Sequence, residues 1–503
     1  MNAPDDDPEN EEGVLVDSGG FRVDRRRALD KLMRFQLPDP AMFTLPLVRA
    51  AVASGASYVR LGQEGNLFEL RFDGLPLGRG ELSDPYSCLF DRKTEGNARN
   101  RELAIAVLSA LRLSPRLVTV VSGKGHERLR LRVESLEKDS IEPSLDPGED
   151  TVLKIALAPT LLGGAPDLTA RVRQRCKVSP IPIWIGTEEL PRSRRSEELP
   201  GLYFEDGPVH GWIGVPSAPA PQSSLHAYTL GVFVAETHFA LPLVQVQGYL
   251  NDDQWTLNAS QTGIARNARF RKTMDLLASQ AERLLLDTIG QAEDRLGEAG
   301  RLVLEPELLY YWKDRLERGS AAESPNLLQA TRQALSAALA SLSSKRSSRE
   351  FDETVRRLRW CARATAWLRD AAWRLLAGGA ADAKKEPLRS LWSAPLYLTS
   401  SGRAVSLANL DEQRRRLGYI PITREPFPHL ELPFEAVWLA SERDLDCLAE
   451  VFSGGIREVT DVLRSMKERG GGAAPVKTGA TNAIGLCSST RVPSRIWLSL
   501  YLS

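Results

Sequence analysis

Between Phe43 and Leu157 short apolar runs of two different periods follow one another, and their order restricts what this stretch can fold into. Phe43–Ser54 (FTLPLVRAAVAS) carries apolar residues at helical spacing and stops at Gly55, a common helix terminator. Tyr58–Leu61 and Leu67–Phe72 are rich in apolar and aromatic residues, and Gln63-Glu64-Gly65-Asn66 between them is a hairpin signature. Asn100–Leu111 returns to the helical period, and Leu117–Ser122, Arg128–Val133 and Thr151–Leu157 read as three further strands. Two helices against a meandering sheet predict an α+β sandwich over residues 21–160, with antiparallel strands and no Rossmann crossover.

The rest of the chain divides by composition. Residues 1–20 are acidic and poor in apolar side chains, and read as a disordered tail. A second α+β unit is expected over 161–300. It would have a helix at Leu168–Cys176, strands at Pro182–Ile185 and His210–Val215, one longer strand at His226–Val234, and a closing helix at Ala268–Ile289. Leu276, Leu277, Leu284 and Leu285 form one stripe of that last helix. Residues 301–385 carry the three-to-four rhythm of packed helices (Leu327, Leu328, Leu335, Leu339; Val355, Leu358, Ala362, Leu368), with Trp312, Trp360, Trp367 and Trp373 as core anchors. A small α/β unit follows over 386–468, with strands at Leu396–Thr399, Tyr419–Ile422 and Val437–Leu439 and a helix at Asp444–Phe452. Residues 469–503 read as a weakly structured tail.

Bulk properties exclude several function classes. Lys+Arg and Asp+Glu number 65 each in 503 residues, so no global field draws the chain to nucleic acid or an anionic membrane. The five cysteines show no C-x-x-C spacing and the five histidines no i, i+4 pair, so a metal site is not expected. With an acidic N-terminus and no apolar run near the ~20 residues that span a bilayer, the sequence predicts a cytoplasmic protein.

The ordered segments PLVRAAVASGASYVRL, LRFDGLPLGRGEL, TEGNARNRELAIAVLSAL, VTVVSG and DTVLKIAL resemble the N-terminal ATPase module shared by the 90-kDa heat-shock chaperones, MutL proteins, type II topoisomerases and histidine kinases. The likeness covers about 130 residues and implies that family's helix-backed antiparallel sheet. Its chemistry needs a carboxylate to activate water and an amide to hold Mg²⁺ on one helix face. The matching positions hold Pro46 and Ala50. The adenine-reading aspartate falls on Phe72, with Asp73 and Gly74 next; a one-residue slip would restore the carboxylate but aim it at the opposite face unless a bulge intervened. The phosphate-loop glycines fall on Asn97 and Asn100, and the late threonine on Thr151. Asp73, Gly74, Asn97, Asn100 and Thr151 are therefore the candidate residues of a vestigial nucleotide pocket. Arg99 and Arg101 read as solvated surface.

Val246–Lys272 (VQGYLNDDQWTLNASQTGIARNARFRK) resembles the middle segment of the 90-kDa heat-shock chaperones, with Gly248, Leu257, Asn258 and Ser260 on the family pattern and Gln261 where the family's catalytic arginine stands. This resemblance makes 161–300 a chaperone-middle-like domain. It also implies that the loop Asn251–Gln261 faces the first domain and precedes a helix starting near Ile264. The expectation is a chaperone-like pseudo-ATPase or protein-interaction scaffold, with ATP hydrolysis lost, no catalytic residue, no cofactor and other proteins as partners. The alternatives left open are a nucleotide-binding regulator or weak ATPase that takes ATP or ADP with Mg²⁺ in a rearranged pocket, and a MutL-like DNA-associated factor.

Overall fold

A computed structural model describes residues 24–90, 98–159, 166–192, 200–216, 220–304, 348–377, 386–425, 427, 430, 432, 434–438, 442–453 and 455–468. The acidic tail 1–20, Asn97, Trp312, the Leu327–Leu339 run and residues 469–503 lie outside the described residues. The fold is mixed α+β. The chain divides into two compact units: residues 1–192 with 230–232 and 257–263, and the remainder.

In the first unit the helices are α1 (Arg25–Phe35), α2 (Thr44–Ala53), α3 (Arg79–Ser83), α4 (Ala98–Leu111) and α5 (Ala170–Arg175). The strands are β1 (Val59–Glu64), β2 (Leu67–Phe72), β3 (Leu117–Ser122), β4 (Leu129–Ser135), β5 (Lys138–Pro143), β6 (Thr151–Ala156), β7 (Ile183–Ile185) and β8 (Glu188–Glu189). They form one sheet in the order β5-β4-β3-β6-β2-β1-β7-β8. Every pairing from β5 to β1 is antiparallel, as the sequence predicts, and β7 runs parallel to β1. Ile183–Ile185, which the sequence groups with the following unit, thus extends this sheet instead.

The period of two sorts the sheet's faces. Phe68, Leu70 and Phe72 of β2, Val118 and Val120 of β3 and Leu129, Leu131 and Val133 of β4 are buried in one core with α2 and α4. Phe43 meets Phe68 edge to face with ring centroids 5.4 Å apart. Truncating such a buried aromatic to alanine costs ~3–5 kcal/mol. The other face is charged: Glu69 bridges Arg71 at 2.8 Å and Lys154 at 3.1 Å, and Arg130 bridges Glu142 and Asp146. Strand β5 (KDSIEP) was not expected. It is an edge strand with no buried residue, so no apolar period marks it.

The second unit holds two sheets on one continuous core. The first, in the order β12-β11-β13-β10-β9, comprises β9 (Gly201–Asp206), β10 (Val209–Gly214), β11 (Ser223–Thr229), β12 (Val232–Phe239) and β13 (Gln247–Asp252). The single strand expected at His226–Val234 is corrected to two strands. Leu230 and Gly231 between them have φ of +50° and +73°, the left-handed pair of a two-residue hairpin turn. Helix α6 (Ala268–Leu304) begins four residues after Ile264, because the Asn267 side chain accepts the Phe270 N–H at 3.0 Å and caps it there. Leu277, Leu284 and Leu285 are buried and Leu276 packs beside them.

Helix α7 (Ser348–Ala377) buries Trp360 and Trp367, the latter donating Nε1–H to the Gln245 carbonyl at 2.7 Å, while the partly buried Trp373 donates to Glu450. Beyond α8 (Leu388–Ser393) lies a mixed sheet, β15-β14-β17-β16-β18. Its strands are β14 (Pro395–Thr399), β15 (Ala404–Ser406), β16 (Ile420–Thr423), β17 (Val437–Trp438) and β18 (Ile456–Glu458), accompanied by α9 (Leu407–Leu417), α10 (Glu442–Val451) and α11 (Thr460–Glu468).

Candidate functional site

Helix α2 runs through the first core with all but Val52 and Ala53 buried. Pro46 and Ala50, which the resemblance sets against a water-activating carboxylate and a cation-holding amide, are both in that buried set. Neither can take a proton or bind Mg²⁺.

The inward position at the end of β2 belongs to Phe72, 2% exposed and paired across the ladder with Thr151. Asp73, one residue on, is exposed. Its Oδ1 accepts the Ser57 N–H at 2.7 Å and its Oδ2 the Ser57 hydroxyl. Partial burial would raise this carboxyl, but the Ser57 and Tyr58 donors outweigh it and hold Asp73 below the usual carboxylate range. Asp73 therefore closes the turn into β1. Gly74 is required by proximity: a Cβ there would lie 1.8 Å from Ser54 Oγ at the C-terminus of α2, where Leu75 N–H also binds the Ser54 carbonyl.

Thr151 is 1% exposed, and its hydroxyl shares a 2.7 Å hydrogen bond with Ser122 Oγ, which in turn accepts the Leu77 N–H at 2.8 Å. Asn100 is buried near the start of α4. It donates Nδ2–H to Glu81 Oε1 at 2.7 Å and accepts from Arg99 Nε at 2.8 Å. Arg99 also donates to the Leu75 and Pro76 carbonyls and to Glu81. The expectation of a solvated Arg99 is thus corrected: it is 8% exposed, because two carbonyls and a carboxylate supply the partners that water would otherwise give. Arg101 is exposed. Glu81 completes the set by accepting the Gly78 N–H at 2.7 Å. Burial pushes its carboxyl up, but Asn100, Gly78 and Arg99 together bring it below its ordinary value. These bonds tie the segment Asp73–Glu81 to α4, to β3 and to the end of α2.

A second cluster lies one residue from Ala50. Arg49 is 2% exposed, the largest fully buried side chain among the described residues. Its Nε donates to Glu102 Oε2 at 2.7 Å and its Nη2 to Gln261 Oε1 at 2.8 Å. The Cys176 thiol is pushed up to about 12 by complete burial, with the positive charges of Arg49 and Arg175 pulling weakly the other way. Gln261 sits in the left-handed region at φ +58°, in a loop organised by Asn258. Asn258 Oδ1 accepts the Thr262 and Gly263 N–H groups, and its carbonyl accepts the Gln261 N–H at 3.0 Å. Leu257–Gly263 belongs to the first compact unit.

The sequence singled out Asp73, Gly74, Asn100 and Thr151, and the structure puts each into hydrogen bonds or close contact with the chain itself. It missed Glu81, Ser122, Arg49 and Glu102. One signal was available: an arginine inside the apolar run TLPLVRAAVA needs a buried acceptor somewhere in the fold. Among the described residues no group of His, Cys, Asp and Glu side chains could hold a metal ion. No protein-family model matches the chain, and a comparison with curated proteins finds no match either.

Proposed function

We propose that the chain is a chaperone-like pseudo-ATPase of the 90-kDa heat-shock type, a scaffold that binds other proteins without an ATP cycle. On this reading residues 21–160 are a degenerate ATPase module of the histidine-kinase and MutL kind, and residues 161–300 correspond to a chaperone middle segment. One observation carries it: the polar side chains around the vestigial pocket are bonded to the chain, while the two chemical positions on α2 are buried Pro46 and Ala50. Removing one preorganised group from a phosphoryl-transfer site costs ~10²–10³ in rate. Here the carboxylate, the amide and, at Gln261, the cation are all replaced. Other proteins are the partner class that the chaperone resemblance implies, and 65 basic against 65 acidic residues give no net attraction to a polyanion. No helix among the described residues is long and apolar enough to cross a membrane.

Isothermal titration with ATP or ADP and Mg²⁺, together with a coupled hydrolysis assay on the purified full chain, tests the reading. No binding heat and no turnover above background is the expected result. Saturable binding without turnover would replace it with a nucleotide-binding regulator. Turnover lost in Asp73→Asn would restore an ATPase of altered register.

A further inference from the structure

We propose that Arg49 is a latch that holds the Leu257–Gly263 loop in the first unit without a ligand. The inference deepens the reading above and rests on it, since a loop gripped by the chain's own guanidinium has no use for a nucleotide to hold it.

A guanidinium at 2% exposure in a helix whose neighbours Val48 and Ala50 are 0% and 1% exposed must find partners, because an unpaired buried charge costs several kcal/mol. Glu102, in the second turn of α4, supplies the counter-charge to Nε. That pair would suffice for neutrality. Nη2 nevertheless reaches a neutral amide 212 residues away in sequence, and the resulting bond is buried. A hydrogen bond to a charged donor is worth ~1.5–3 kcal/mol, more than a neutral one.

The loop is shaped to present that amide. Asn258 closes it from within: its N–H binds the Gly263 carbonyl at 2.9 Å and its side chain takes two further amides. Gln261 is then left at φ +58°, a backbone state that a side chain with a Cβ adopts at a cost of about 1 kcal/mol or more. Its Oε1 points to Arg49, and Gln261 is 7% exposed. The internal bonds of the loop give it form, and the Arg49 bond fixes it to α2.

Amide hydrogen exchange on the full chain, with and without ATP and Mg²⁺, tests the latch. In Gln261→Gly the amide is removed while the left-handed backbone is relaxed and the Arg49–Glu102 pair is kept. In Gln261→Asn the left-handed preference is kept and the amide falls one methylene short. Gln261→Asn should exchange the Thr262 and Gly263 amides roughly 10- to 100-fold faster than wild type after correction for intrinsic rates, as loss of a charge-assisted bond requires, and Gln261→Gly roughly 2- to 30-fold faster because relaxed strain offsets part of that loss. The Leu70 and Val120 amides of the sheet should not change, and ATP should have no effect in any variant. Unchanged loop exchange in both folded variants would overturn the latch. Protection of the wild-type loop by ATP would sink the pseudo-ATPase reading, and the two variants would still decide the latch by themselves.

Discussion

Each unit has an arginine–carboxylate pair with one fully buried member, Arg49 in the first and Asp252 in the second, and the two pairs are used differently. In the second unit Asp252 is completely buried at the end of β13 and receives both Nε and Nη2 of Arg269 at 2.8 Å, the Thr273 hydroxyl at 2.6 Å and the Gln254 N–H at 2.9 Å. Donors and acceptors there are matched between neighbours at most 21 residues apart, and the pair joins β13 to α6. In the first unit Arg49 divides its donors between Glu102 and a neutral amide far along the chain. A pair closed on itself fixes two adjacent elements. A pair with a donor left over can also hold a distant segment.

The largest effect expected from breaking this comparison is at Asp252. Asp252→Ala leaves Arg269 and Thr273 without their buried acceptor, and a loss of ~3–5 kcal/mol in chemical denaturation is expected. A loss below 1 kcal/mol would show that water reaches Arg269, which is 21% exposed, and replaces the carboxylate. Next is Arg49→Met, for which about 2–3 kcal/mol is expected, less because methionine keeps most of the buried volume and only Glu102 and Gln261 lose a partner, where Asp252→Ala orphans a guanidinium, a hydroxyl and a backbone N–H. Pairing that change with Glu102→Met should recover most of the loss while leaving loop exchange fast, since a volume-matched apolar pair substitutes for the charge but not for the grip. If the double variant also restored slow loop exchange, the loop would be held by packing.

The smallest effect is in the pH dependence. Glu81 has its folded value lowered from 4.5, so its contribution to stability is present above 4.5 and is lost as pH falls through the folded value. Thermal unfolding followed downward from pH 6 should show a shallower decline in Glu81→Gln than in wild type. Identical slopes would mean that Glu81 is equally well solvated in the unfolded chain.

Much of the first sheet was legible because β2 and β4 alternate cleanly, while β3 and β6 are short apolar runs with three consecutive buried residues each. What escaped had a physical reason. β5 has no dry face, and the β11–β12 turn hides in an apolar run because Leu230, seldom a turn residue, takes the left-handed position. Pro46, Ala50 and Gln261 were reached by setting the chain against a family pattern, residue by residue. The bonds of Glu81 and Arg49 could not be reached that way, because each depends on which distant backbone or side chain arrives beside it, and Gln261 is no nearer Arg49 in sequence than many other amides.

The left-handed backbone of Gln261 has a consequence for how such a chain would be surveyed. Relaxing it with glycine returns about 1 kcal/mol, against the ~1.5–3 kcal/mol of the bond that is lost. The two contributions oppose, so the net loss, about 0.5–2 kcal/mol, is smaller than that of the bond alone. A library ranked by melting temperature would therefore score glycine at 261 as milder than the bond it removes. A measurement that reports local opening would show the change where it occurs, and long-range holding of this kind leaves only a muted thermal signature.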